Sequence, residues 1–99
     1  MPGAGVAGGY TAVGPGGSTG WHYHEGPVYG FVAAGTLTHP GPDCAAPEFR
    51  PGEFIYEEAG ARNTHIGRNL GAEPVVLSVI YAPPAGAPLF RDAAAPGCA

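Results

Sequence analysis

The chain has 99 residues and a formal net charge of −4, enough for one small domain and too little for a second core. Gly 18 and Pro 12 would suit a disordered chain, but 44% hydrophobic and 10% aromatic residues supply the apolar surface that folding needs. There is no lysine, and the only cations are Arg50, Arg62, Arg68 and Arg91; this excludes a polybasic binder of nucleic acid or of anionic membranes, whose affinity comes from neutralised phosphates.

A Gly or Pro every few residues also argues against helices. The expected fold class is therefore all-β. Residues 1–9 are Gly/Ala-rich and are expected to form a flexible N-terminus. Tyr10–Val13 is a short strand, closed by the turn chemistry of Gly14-Pro15-Gly16-Gly17. Further strands are expected at Trp21–His24, Val28–Ala33, Thr36–His39, Glu48–Arg50, Glu53–Glu57, Thr64–Arg68 and Pro74–Ala82. Short Gly/Pro turns separate them, so most neighbours should pair antiparallel. Val75, Leu77, Val79 and Tyr81 share one face of the last strand, and Val76, Ser78, Ile80 and Ala82 the other. Both faces are largely apolar, which predicts a core on one side and a second layer on the other, with a second copy of the chain as the expected layer. Residues 10–82 thus form the body. Residues 83–99 form a Pro/Ala-rich tail that Leu89 and Phe90 are placed to pin.

No stretch approaches 18 apolar residues, and the opening MPGAGVAGGY lacks the basic residue and apolar run of a signal peptide. The expected location is cytoplasmic. Cys44 and Cys98 stand 54 positions apart and belong to no Cys-x-x-Cys pair. A bond between them would be worth about 4 kcal/mol by loop closure, but in a reducing compartment two free thiols are expected.

The chemistry lies in the histidines. His22 and His24 are i, i+2 on one expected strand, so both rings fall on one face. His65 lies on a later strand. Imidazole is the commonest metal ligand, and two His in fixed register plus a third from elsewhere make a three-nitrogen site with open positions.

Two motifs in order carry a family resemblance. The first reads Gly16, five residues, His22-Tyr23-His24, three residues, Val28, six residues, Gly35. The second reads Gly52, five residues, Glu58-Ala59-Gly60, four residues, His65, three residues, Asn69. The pattern resembles the cupins over residues 14–82. It departs at Val28, where the family has a glutamate, at Glu58, where it has a proline, and in a loop before His65 that is two residues longer. The resemblance implies a single jelly-roll barrel of two antiparallel sheets, with a small-molecule ligand or substrate in its mouth and homodimerisation through the sheets. It implies one divalent transition metal (Fe, Mn, Ni, Co or Zn) on His22, His24 and His65. Asn69 would support a strand end, and Gly16, Gly35 and Gly52 would serve turns. Without the carboxylate the ion keeps its full +2 charge and is a stronger Lewis acid.

Candidates for catalysis are Glu25, beside His24; Tyr29 and Tyr56, as oxygen donors; and Arg62, as a guide for a substrate carboxylate. Val28, Phe31, Phe54 and Val79 are candidate wall residues. His39, before Pro40-Gly41, is expected to be a solvated turn histidine, and Glu57 and Glu58 solvated strand-end carboxylates. The expected function is a metal-dependent enzyme acting on a small organic molecule (a dioxygenase, an isomerase or cyclase, or a lyase). The alternative is a non-catalytic small-molecule-binding protein with a structural metal or none.

Overall fold

The computed structural model describes residues 7–99. The chain runs β1 (Ala7–Val13), β2 (His22–Tyr23), β3 (Val28–Ala34), β4 (Leu37–Thr38), β5 (Glu48–Phe49), β6 (Phe54–Glu57), a 3-10 turn at Ala61–Asn63, β7 (Val75–Tyr81) and β8 (Arg91–Asp92). There is no α-helix among the described residues, and so none long and apolar enough to cross a membrane.

One sheet has the order β1-β7-β3-β6, antiparallel throughout. β1 begins at Ala7, so residues 7–9 are paired to Tyr81, Ile80 and Val79 rather than free, and residues 1–6 lie outside the described part. The second layer contains the pairs β2-β8 and β4-β5. Residues 64–69 bridge these pairs. His65 and His22 exchange two main-chain hydrogen bonds of 2.9 Å, and on the other side Arg68 and Thr38 exchange bonds of 2.7 and 2.9 Å. Thr19 donates to Gly67 O and Asn69 to Gly17 O. The strand expected at Thr64–Arg68 therefore exists as a ladder, though a discontinuous one. The two layers make the double-sheet jelly roll.

The period of two decides which side chains meet between the sheets. Val28 and Val32 of β3, Ile55 of β6, Val75, Leu77 and Val79 of β7, Val13 and Leu37 form one buried cluster, with Phe49 and Tyr81 packed against it. The outer face is different. Register places Tyr10, Ser78, Phe31 and Phe54 in one row, and Gly8, Ile80, Tyr29 and Tyr56 in the next. Tyr10, Phe31, Phe54, Ile80, Tyr29 and Tyr56 are all exposed there, Phe54 to 82%. Phe31 and Phe54 thus line the outside, not the barrel wall, whereas Val28 and Val79 do face the interior.

Asn69 is buried and holds three segments together. Its amide nitrogen donates to Val13 O (3.0 Å) and Glu73 O (2.7 Å), and its Oδ1 accepts from Gly71 N (3.0 Å). Gly16, Gly35 and Gly52 all have positive φ (76°, 74° and 89°), which explains why these turn positions are glycine. At Gly35 a Cβ would also run into the backbone of Pro74 and Val75.

The tail is a strap rather than a loose extension. β8 pairs with β2 (His22↔Asp92, Tyr23↔Arg91), and Ala93 N donates to Trp21 O at 3.0 Å. Cys98 is bonded to Cys44, with their Cα atoms 6.0 Å apart. This corrects the expectation of free thiols. The tail folds back across the β4–β5 loop and brings together two residues far apart in sequence, and such bonds persist in oxidising surroundings.

Two outcomes are expected. Asn69→Ala orphans a donor and two acceptors in the interior and should cost about 3 kcal/mol in urea unfolding. Cys98→Ser removes a loop closure worth up to about 4 kcal/mol; the melting temperature should fall by up to roughly 16 °C, and the Ala93 amide should exchange faster in hydrogen-exchange measurements.

Candidate metal centre

His22 opens β2, and His24 follows one residue past its end, on the same face. His65 is the ladder partner of His22. The three rings converge: centroids are 5.0 Å apart for His22 and His24, 4.4 Å for His22 and His65, and 5.0 Å for His24 and His65. One ligand nitrogen from each lies within 4.8 Å of the others. The structure therefore brings together the three histidines that the spacing singled out.

Their second nitrogens explain the orientation. His22 Nδ1 lies 2.7 Å from Gly20 O, His24 Nδ1 2.7 Å from Leu89 O, and His65 Nδ1 2.9 Å from Asn63 O. A carbonyl oxygen can only accept, so each Nδ1 carries the proton. In the neutral ring Nε2 is then left as a lone pair. Fixing the tautomer through the far nitrogen is how proteins orient metal-binding imidazoles. Two of the three carbonyls come from segments whose roles were not visible in the motif. Asn63 closes the 3-10 turn that absorbs the longer loop, and Leu89 belongs to the strap. Phe90, next to Leu89, packs its ring 5.8 Å from that of His22.

A carboxylate and a fourth histidine join this cluster. Glu57 Oε1 is 2.9 Å from His24 Nε2 and 3.4 Å from His65 Nε2, and Oε2 is 2.7 Å from His39 Nε2. His39 and Glu57 are both mostly buried. Neither is the solvated group expected from its position in the chain. The alternation on each strand held the signal: Glu57 shares a face with buried Ile55, and His39 with buried Leu37. Glu58, by contrast, is exposed.

The electrostatics follow from this packing. Burial works to raise the Glu57 pKa, but hydrogen bonds from His39 and from the His24 and His65 rings, whose Nε2 atoms carry a proton when no ion lies among them, outweigh it and hold the carboxyl far below its usual range. Burial lowers the His22 pKa, aided by the neighbouring His65 and His24 and opposed by the hydrogen bond to Gly20, so His22 favours the neutral form that binds metals. At His65 burial pushes down, yet the hydrogen bond to Glu57 and its charge prevail, and the pKa is raised.

The other sequence candidates lie elsewhere. Glu25 is paired with Arg91, its Oε2 2.6 Å from Nε, at a partly exposed position. Tyr29 and Tyr56 pack against each other on the outer face of the large sheet, with ring centroids 5.2 Å apart and planes tilted by 45°. Arg62 is exposed in the 3-10 turn. A cleft of about 260 Å³ opens beside His22 and His24, lined also by Thr11, Ser18, Thr19, Tyr81 and Phe90. A smaller cavity of about 50 Å³ shares His22, His24 and Tyr81 with it and is also lined by His39 and Glu57.

Comparison with known proteins bears on this geometry. No curated protein matches the chain. Among solved structures, an uncharacterized conserved protein with a double-stranded beta-helix domain from Klebsiella pneumoniae subsp. pneumoniae MGH 78578 superposes with a TM-score of 0.74 at 21% identity, covering 90% of this chain and 75% of that one. The polyketide cyclase RemF from Streptomyces resistomycificus gives 0.74 at 24%, covering 98% and 65%. An oxalate oxidase gives 0.67 at 23%, covering 77% and 41%. The chain thus spans less than two thirds of either enzyme, and likeness at these identities establishes the fold alone. The model of the Cupin domain matches residues 9–81. With that match across most of its length, and the double-sheet fold around a histidine cluster, the chain belongs to the cupin family.

Proposed function

We propose that the chain is a metal-dependent cupin that acts on a small organic molecule in the barrel mouth, with His22, His24 and His65 holding one divalent transition metal. The observation that carries this reading is the set of three Nδ1–H groups tied to main-chain carbonyls, which leaves three Nε2 atoms converging. An all-nitrogen set beside one carboxylate suits first-row ions such as Fe, Mn, Ni, Co or Zn better than calcium or magnesium. When bound, such an ion supplies Lewis acidity toward a carbonyl or carboxylate, or, if it is iron, reactivity with dioxygen.

The chain's own residues set what can approach. The cleft beside His22, about 260 Å³, has room for a small organic molecule. Thr11, Ser18 and Thr19 offer hydroxyls, while Phe90 and Tyr81 offer aromatic faces. Among the described residues no cationic side chain lines it, so a small dianion finds no counter-charge there from these side chains. The lining favours a largely apolar molecule bearing carbonyl or hydroxyl groups. This supports isomerase or cyclase chemistry over oxidation of a dicarboxylate, and a polyketide cyclase is among the folds the chain resembles. Phe90, just before the strap, forms part of one wall.

One observation favours the non-catalytic alternative. Among the described residues the cleft has no carboxylate of its own to move a proton, and Glu57 is engaged by three histidines. Under that reading a ligand raises the melting temperature by mass action and is recovered unchanged.

Elemental analysis by ICP mass spectrometry tests the metal directly. Wild type should carry about one transition metal per chain, and His22→Ala, folded by circular dichroism, under about a tenth of that, as expected when a three-nitrogen site loses a ligand. A wild type that stays metal-free after reconstitution with Fe, Mn, Ni, Co and Zn would contradict the reading.

We also propose that the outer face of β1-β7-β3-β6 pairs two copies of the chain. Its two central rows carry Tyr10, Phe31, Phe54, Ile80, Tyr29 and Tyr56 and no charged side chain. An uncharged apolar face of this kind marks an interaction site, and it opposes no like charges when it meets itself. Sedimentation equilibrium should give a dimer for wild type and a monomer for a Phe31→Glu/Ile80→Glu variant; a monomeric wild type would refute it.

A further inference from the structure

We infer that Glu57 supplies the metal-site carboxylate that Val28 lacks, delivered from the neighbouring strand, and that His39 is the positioning residue that aims it. The inference rests on the three-histidine reading above and adds a fourth ligand to it.

The register provides the route. Val28 and Glu57 are Cα partners across the β3–β6 ladder. Directly opposed residues of an antiparallel pair point to the same side of the sheet. Val28 is 3% exposed and faces the interior, so Glu57 enters the same space from the adjacent strand. A carboxylate lost at one position of the ladder is thereby restored at its partner.

The distances agree. Glu57 Oε1, His24 Nε2 and His65 Nε2 form a triangle with sides of 2.9, 3.4 and 3.2 Å. The Nδ1 atoms of both rings already donate to carbonyls. Three acceptor atoms this close repel one another unless protons or a cation lie among them, and an oxygen beside converging imidazole nitrogens is a donor set for a first-row ion. The other oxygen is accounted for: Oε2 takes a hydrogen bond from His39 Nε2 at 2.7 Å. His39 thereby fixes which oxygen of Glu57 faces the three histidines, as an outer hydrogen bond orients a ligating carboxylate. The consequence is a change of charge. The ion would keep a formal +1 rather than the +2 expected of a site with three neutral histidines.

Cobalt(II) titration of the full chain tests this without any assay of turnover. Affinity is read by competition with a chelator, and coordination by the visible absorption of Co²⁺. Wild type should bind one Co²⁺ per chain. Glu57→Gln keeps the shape and removes the charge; it should bind at least about 100-fold more weakly and with a changed spectrum, more than the loss expected for an outer-shell partner. The exchanged pair Val28→Glu/Glu57→Val should recover affinity to within about 10-fold of wild type, and it also guards against a single variant that fails to fold. His39→Ala should weaken binding about 10-fold while keeping the wild-type spectrum, and His39→Gln, which retains a donor, should recover part of the loss. Glu57→Gln binding Co²⁺ within about 3-fold of wild type, with an unchanged spectrum, would overturn the inference and leave the three-histidine site standing if His22→Ala still abolishes binding. So would a folded exchanged pair that binds no better than Glu57→Gln. A wild type that binds no Co²⁺ would overturn both.

Discussion

The pair of main-chain hydrogen bonds between His22 and His65 is the constraint on which the site depends. It locks a run of chain carrying one histidine against the strand carrying two others, more than forty residues earlier. The same run is tied on its far side to Thr38, which precedes His39. Backbone pairing, rather than side-chain attraction, therefore puts four imidazoles in one place. That matters energetically, because converging lone pairs do not attract one another. The cost of holding them together is met by the ladder, by the buried aliphatic cluster beneath it, and by Asn69, whose three hydrogen bonds secure the end of the run.

A second dependence links the tail to the site. Leu89 O fixes the His24 ring, and Phe90 shields His22. Both lie between β7 and β8, on the stretch that leads into a strap held by the β8 pairing and, beyond it, by the Cys44–Cys98 bond. Stability and site geometry are thus coupled through one short segment. A jelly roll of this size has little core to spare, and a covalent closure over 54 positions reduces the entropy of the unfolded chain.

Much of the fold was legible because its signals are local. Gly16, Gly35 and Gly52 mark turns that need positive φ, and the apolar runs between them pair antiparallel as short connections require. His22 and His24 were legible because a period of two is enough to align them. Their meeting with His65 needed the family pattern, since no local rule joins strands forty residues apart. Glu57 and His39 were missed for a physical reason. A polar residue at a strand end is usually solvated, and only its parity with Ile55 or Leu37 shows that it points inward. The strand at Arg91–Asp92 was hidden in a Pro/Ala-rich tail, and the disulfide depended on that tail folding back. Tyr29, Tyr56, Phe31 and Phe54 fall on the outer face because the register of β3 with β6 turns them outward; aromatic content alone does not distinguish a barrel wall from an interface.

In the proposed centre one metal ion would sit among the Nε2 atoms of His22, His24 and His65 and the Oε1 atom of Glu57. Anomalous diffraction at the cobalt edge, from crystals of wild type grown with Co²⁺, tests it most directly. A single anomalous peak should lie about 2.1 Å from each of those four atoms, as expected for first-row ions bound by nitrogen and oxygen, with each Nδ1 still on its carbonyl. A peak that lies away from the histidines, or no peak while Glu57 stays hydrogen-bonded to His24 and His39, would contradict it.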